Sequence, residues 1–200
     1  MTLGWPIELT FGDIGLRPIR QRDAREWRTV RARNADWLRP WEATTPDPSR
    51  DVPPTYGVMV RRLRSEATDG RVMPFVVTYR GRLVGQLTVG SITWGSLRGA
   101  HIGYWIDREF AGRGITPTAV ALVTDHCFSI GLHRIEINVR PENVASRRVA
   151  EKLGFRFEGL RPSYLHIDGA WRDHVVYALT AEEISGGVLN RWIAGPATQP

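Results

Sequence analysis

The chain has 200 residues, 42% of them hydrophobic and 24% charged, which allows one sizeable core in an ordinary water-exposed globular protein. One cysteine, Cys127, excludes an intramolecular disulfide and a cysteine-built zinc site, and no apolar run approaches the ~20 residues of a membrane span. The formal net charge of +6 favours anionic surroundings, yet there is no RNP-like aromatic motif, zinc-finger spacing or basic heptad helix to recognise nucleic acid directly.

In chain order, the opening "MTLGWPIELTFGDIG" lacks the charged and apolar regions of a leader, so a cytoplasmic protein is expected. "IGLRPI" (14–19) alternates as a strand. Asp23 is expected to cap a helix running to about Ala32, with Ala24, Trp27 and Arg31 along one face. "NADWLRPWEATTPDPSRDVPPT" (34–55) reads as a long irregular stretch, and long loops in small domains are often functional. A helix is expected from about Pro54 to Thr68, then a hairpin over 73–94 turning at Arg80-Gly81, then a strand over 99–107. The next helix, running on to about Gly131, carries Val120, Val123, Cys127 and Ile130 on one face. "HRIEINV" (133–139) alternates as a strand, and "NVASRRVAEKLGF" (143–155) reads as a helix stopped by Gly154. "RFEGL" and "DHVVYAL", with a turn at Asp168-Gly169 between them, complete the sheet. Residues 1–184 are expected to form one domain, and the Gly/Pro-rich residues 185–200 a frayed tail. Hairpins followed by strand–helix–strand argue an α/β (α+β) fold, a mixed sheet with helices on both faces.

"REFAGRGITPTAV" (108–120) joins a strand to a helix through two glycines. Thr116 suits an N-cap and Pro117 the first helical position, so free N–H groups would point back at the turn. Such an end attracts phosphate, and glycines let a ligand approach the backbone closely. It is neither a Walker loop nor a Rossmann fingerprint, because no Gly-Lys-Ser/Thr and no third glycine follows. By itself the stretch reads equally well as a plain turn or a phosphate cradle.

The succession of "GYWI" (103–106), "GRGI" (112–115) and "RPENVASRRVAEKLGF" (140–155) resembles the GNAT N-acetyltransferase superfamily, nearest to ribosomal-protein-alanine N-acetyltransferases of the RimJ/RimL type. "LRPI", "NADWLRPWEA" (34–43) and "DGAWRDHVVYAL" (168–179) extend the likeness from about Ile14 to Thr180. The resemblance implies a mostly antiparallel sheet with a strand splay, acetyl-CoA as donor and no metal. It implies pyrophosphate on Gly112, Arg113, Gly114, Ile115 and Thr116. It sets the pantetheine arm along Tyr104, Trp105 and Ile106. Asn143 matches a pantetheine contact and Ser146 a position near the thioester sulfur; Arg148 and Lys152 follow toward the nucleotide end. Two positions depart from the pattern: Ala111 stands where Gln or Arg is usual, and Thr116 where Gly or Ala is usual.

The reaction so implied is attack of a neutral amine on a thioester. An α-amine has a pKa of about 7.7–8.0 against about 10.4 for lysine, so roughly a tenth is neutral at pH 7 and a weak base suffices. The leaving sulfur needs a hydrogen; the 144–153 helix has no tyrosine, which leaves Ser146. Leu165 stands where RimL-like relatives carry a glutamate, so the base is sought in His101, whose ordinary pKa suits the task, or Glu42, with Tyr164 a further hydroxyl near the sulfur. Trp37, Trp41 and Glu42 are expected to meet the acceptor. The expected activity is acetylation of a protein N-terminal α-amine, a ribosomal protein among the acceptors, by a monomer or homodimer. Acetylation of a small amine such as a polyamine or antibiotic, or CoA sensing without turnover, are the rival readings.

Overall fold

The structure is a computed structural model describing residues 4–47 and 54–195. Alternating apolar residues build one eight-stranded sheet: Leu9–Phe11 (β1), Ile14–Pro18 (β2), Met73–Tyr79 (β3), Arg82–Thr93 (β4), Gly99–Ile106 (β5), Arg134–Val139 (β6), Arg156–Ile167 (β7) and Ala170–Thr180 (β8). Their order across the sheet is β1-β2-β3-β4-β5-β6-β8-β7. Neighbours run antiparallel except β5 and β6, which are parallel. Both expected two-residue turns form as predicted. Arg80 and Gly81 have φ of 50° and 76°, and Asp168 and Gly169 have 47° and 75°, the left-handed pair that fits the twist of a hairpin.

Helices cover both faces. The 15-residue helix Ile115–Ser129 (α4) seats Val120, Val123 and Cys127 on the face holding Leu87, Ile102, Ile135 and Ile137. Ala24–Arg33 (α1) and Tyr56–Thr68 (α3) cover the opposite face through Val30, Tyr56 and Val60 against Val76 and Leu83. Two further helices are short, Ala35–Leu38 (α2) and Val144–Lys152 (α5). Thus the expected mixed α/β architecture is present.

Several local expectations give way. Asp23 does not cap α1, because its carboxylate is taken by both Arg17 Nη atoms at 2.9 Å and the Arg20 N–H at 2.8 Å. The third helix starts at Tyr56, where the Thr55 side chain accepts from the Val58 N–H. Thr116 does not cap α4 either: Gly114, at φ 75°, stands at the N-cap and the helix begins two residues earlier. Pro117 therefore occupies the third helical position. Its missing N–H still costs nothing, since the first four helical N–H groups lack intrahelical partners. The stretch 34–55 holds α2 and a 3-10 turn at Arg39–Trp41, while its residues 48–53 lie outside the described part.

The tail shows the largest difference. In place of a frayed end, Val188–Ala194 forms a helix (α6) with Val188 fully buried. The Val188 and Leu189 N–H groups donate to the Asp125 carboxylate of α4 at 2.7 and 3.0 Å, and Trp192 Nε1 donates to Thr118 Oγ1 at 2.9 Å. Gly186 and Gly187, which made the stretch look disordered, have positive φ and turn the chain into that helix. Residues 196–200 lie outside the described part.

Candidate active site

β5 and β6 separate. They pair only at Gly99↔Arg134, Ala100↔Ile135 and His101↔Glu136, although β5 runs on to Ile106 and β6 to Val139. Backbone groups alternate sides along a strand, and the Asp107 N–H donates to the Val84 carbonyl on the β4 side at 2.7 Å. The N–H and C=O groups of Ile102, Tyr104 and Ile106 therefore turn into the opening. That splits the expected trio: Tyr104 and Ile106 present backbone to the gap, whereas Trp105 presents its backbone to β4 and its ring to α1. Trp105 packs 6.2 Å from Trp27, centroid to centroid.

α5 lies across the gap. Its Asn143 caps the helix, accepting from the Ser146 N–H at 3.0 Å. The Tyr104 phenol oxygen lies 2.7 Å from Ser146 Oγ and 3.3 Å from the Ser146 carbonyl. Burial pushes the Tyr104 pKa well up, although the Ser146 contact works against it. The phenol thus stays protonated and can hold the serine oxygen. This pairing is not readable from the sequence, because nothing in strand periodicity tells which residue of α5 comes to face Tyr104.

The glycine turn lies at the mouth of the gap. Gly112 and Gly114 have φ of 77° and 75°, and a Cβ added at Gly112 would meet nothing within 4 Å. The first α4 bond runs from the Thr118 N–H to the Gly114 carbonyl at 3.1 Å, so the Ile115 and Thr116 N–H groups precede the ladder. Arg113 is exposed and lies over the Phe110 ring at 5.2 Å. Arg148 and Lys152 are exposed one turn apart on α5. Open space over glycine, unpaired N–H donors and nearby cations fit a phosphate-bearing chain that continues along the gap.

The opposite mouth is roofed by residues 34–47. Buried Asp107, 2% exposed at the end of β5, accepts from Asn34 Nδ2 at 2.8 Å and from Arg33, while the Arg108 N–H donates to Asn34 Oδ1 at 3.0 Å. Burial alone would raise the Asp107 pKa, but Arg33, Asn34 and the Glu109 N–H hold it below the usual carboxylate value. From this latch the segment crosses the gap. Arg108 lies 5.5 Å from the Trp37 ring, and Arg140, at the end of β6, lies 5.4 Å from the Trp41 ring and donates to the Pro40 carbonyl at 2.7 Å. The far end ties to the β7–β8 hairpin, with the Thr44 N–H donating to the His166 carbonyl at 2.9 Å and the Asp168 N–H to the Glu42 carbonyl at 3.0 Å.

The base candidates are scattered. The Glu42 carboxylate is ion-paired with Arg31, whose guanidinium stacks 5.2 Å from Trp105. His101 sits at the last paired position and lies over Gly90, where a Cβ would come within 2.9 Å of its Nε2. It is three residues from Tyr104 and so faces the other side of the sheet. Desolvation holds its pKa below the usual histidine value, against Glu136, which raises it. The Tyr164 hydroxyl accepts from Arg161 at 3.2 Å and its ring packs on His174. Among the described residues no hydrogen bond joins His101, Glu42 or Tyr164 to Ser146. Sequence reading also missed the ionic floor beside His101, where Glu136 is held by Arg134 at 2.8 Å and by Arg161 at 3.1 Å. Arg134 and Arg156 likewise hold Glu158 down to about 2.

Residues 13–156 match the family model described as the acetyltransferase (GNAT) domain. RimJ of Mycobacterium smegmatis, whose structure is a complex with CoA-disulfide, superposes with a TM-score of 0.89 at 45% identity over 96% of this chain and 95% of that one. The [ribosomal protein uS5]-alanine N-acetyltransferase of Escherichia coli is 29% identical over 189 residues, 90% of this chain and 94% of its own. YjcK of Bacillus subtilis, a probable N-acetyltransferase, is 44% identical over 99 residues, about half of each protein (49% and 55%). No helix among the described residues is long and apolar enough to cross a membrane. A family match that takes in the splayed strands, the glycine turn and α5, on a fold shared almost end to end, has one meaning: this chain belongs to the GNAT acetyltransferase family and is an acetyl-CoA-dependent acyltransferase.

Proposed function

We propose that the acceptor is the N-terminal α-amine of a protein, of the ribosomal-protein kind. The observation that carries this reading is the state of the carboxylates around the gap: Glu42 is engaged by Arg31, and Glu136 by Arg134 and Arg161. A polyamine or aminoglycoside carries several positive charges and calls for free carboxylates. An α-amine carries one, is already about a tenth neutral at pH 7 and needs no strong base. The name of the Escherichia coli relative, a [ribosomal protein uS5]-alanine N-acetyltransferase, supports the same acceptor class.

Each residue then has a task. Acetyl-CoA supplies the acetyl thioester. The backbone N–H groups at Gly112–Thr116, with Arg113, hold the pyrophosphate, and the inward backbone groups of Tyr104 and Ile106 pair with the pantetheine arm. Asn143 spends its Oδ1 on the α5 cap, which leaves its Nδ2 for that arm. Trp37 and Trp41 line the approach of the acceptor. As the amine nitrogen bonds to the acetyl carbon and the carbon–sulfur bond breaks, the Ser146 hydroxyl gives a hydrogen bond or proton to the departing sulfur. The Tyr104 phenol, by donating to Ser146 Oγ, leaves the serine hydrogen free for that purpose. The amine proton passes to water or to a water-linked base such as His101, which its lowered pKa keeps neutral. Residues 1–184 act in this reading as one catalytic domain, with α6 attached to it.

Ser146→Ala is expected to lower kcat about 10²- to 10⁴-fold, the scale of one positioned proton donor, with the acetyl-CoA Kd within about twofold. Unchanged kcat removes Ser146 from the chemistry. The acceptor is tested by giving the enzyme acetyl-CoA with N-terminal peptides of ribosomal proteins, polyamines and aminoglycosides, and reading products by mass spectrometry. Peptide acetylation at the α-amine is the expected result; acetylation of only the small amines overturns the proposal.

A further inference from the structure

α6 was unexpected from sequence, and it ends beside the glycine turn. Its Trp192 is fixed there by two contacts: Nε1 donates to Thr118 Oγ1 at 2.9 Å, and Cζ2 stands 3.6 Å from where a Gly114 Cβ would be. The ring is half-buried, so part of it faces solvent. Lys152 of α5 lies over it with Nζ 6.0 Å from the centroid. Arg191 of the same helix lies against Gly154, where a Cβ would collide with its guanidinium at 2.2 Å, and donates to the Glu183 carbonyl at 3.0 Å. An indole wall and, over it, a lysine therefore border the outer end of the turn that the proposed function assigns to pyrophosphate.

We infer that α6 forms one wall of the subsite for the nucleotide end of the donor, with the Trp192 ring contacting the adenine and Lys152 the adjoining phosphates. The chemistry matches on each count. A flat indole offers every purine a stacking surface. A lysine supplies a point charge to phosphate, and the helix-start donors take the pyrophosphate one residue from the indole contact at Gly114. The anchoring of α6 matters as much as its contents. Two N–H groups on the Asp125 carboxylate and buried Val188 hold the helix on α4, so the wall is built before the ligand arrives.

The inference rests on the proposed use of the glycine turn, and the test separates the two. CoA, 3′-dephospho-CoA and pantetheine are titrated by calorimetry into the wild-type enzyme, Trp192→Ala, Trp192→Phe and Lys152→Met, with thermal midpoints taken alongside. Trp192→Ala is expected to weaken CoA binding about tenfold, the scale of one lost base stack, while pantetheine binding stays unchanged. Trp192→Phe, which keeps a ring, should retain most of the affinity, and Lys152→Met should weaken CoA more than 3′-dephospho-CoA. Quenching of tryptophan fluorescence by CoA should also shrink in Trp192→Phe. Equal losses for CoA and pantetheine, or no loss for either, overturn the wall. Failure of wild-type enzyme to bind CoA at all would instead overturn the use of the turn itself.

Discussion

Gly114→Val is expected to weaken CoA binding roughly hundredfold. Gly114 is the N-cap of α4 at φ 75°, where an L side chain, above all a β-branched one, is strained by about 1–2 kcal/mol. The backbone relieves that strain by moving toward negative φ. Doing so rotates the Ile115 and Thr116 N–H groups that stand ahead of the helical ladder. Hydrogen bonds to a charged group are worth about 1.5–3 kcal/mol each, so losing one or two accounts for a change near 3 kcal/mol. The new side chain also meets Trp192, whose Cζ2 lies 3.6 Å from the added Cβ position. Calorimetric titration with CoA measures the effect, and the far-ultraviolet spectrum and thermal midpoint check that the fold survives. An affinity within threefold of wild type in a folded variant removes the turn from donor binding.

Asp107→Ala is expected to destabilise the protein by about 3 kcal/mol. The carboxylate is buried and takes hydrogen bonds from Arg33, Asn34 and the Glu109 N–H. Removing one partner of a buried pair costs about 3–5 kcal/mol; the lower figure applies because the Arg33 side chain is 39% exposed and can turn to water. Urea unfolding of wild type and variant gives the difference directly, and a loss under 1 kcal/mol contradicts the account. The same group sets an acid dependence. Its pKa is depressed in the folded state, so its contribution is fully present above the unfolded value of about 3.9 and is lost as pH falls through the lower folded value. Asp107→Asn should therefore show a shallower loss of stability below about pH 4 than wild type does. Because Asp107 holds Asn34 at the start of the roof, both variants should also raise the KM for the acceptor more than that for acetyl-CoA.

Much of the sheet was legible because strands declare themselves locally. The hairpin at Arg80-Gly81 and the turn at Asp168-Gly169 each need two left-handed residues, and the sequence offers a glycine at each. The buried face of α4 followed from the spacing of Val120, Val123 and Cys127. Errors came where a side chain had a distant partner. Asp23 had the right type for a cap, but Arg17 claimed its carboxylate. Thr116 looked like a cap, but Gly114 can adopt the left-handed backbone that starts the helix two residues sooner. The residues 185–195 looked unstructured by composition, yet an aspartate on α4, out of sight in sequence, receives the first turn of α6.

The candidate site divides in the same way. Gly112, Gly114, Asn143 and Ser146 could be named from the linear order of motifs, since a glycine turn and a helix cap are made within a few residues of chain. Tyr104 on Ser146, Trp192 on Thr118 and the roof from Asn34 to Thr44 join residues 42, 74 and 122 positions apart, judged by Tyr104–Ser146, Thr118–Trp192 and Thr44–His166. Sequence alone determined most of the strands and helices and the Gly112–Gly114 turn, because those are written in periodicity and local backbone preference, while the order of its motifs carried the family resemblance. Only the tertiary structure decided which hydroxyl faces Ser146, which carboxylates are already neutralised and what packs against the glycine turn. Those depend on where β5 and β6 part, and that separation is a property of the whole sheet with the helices packed on it.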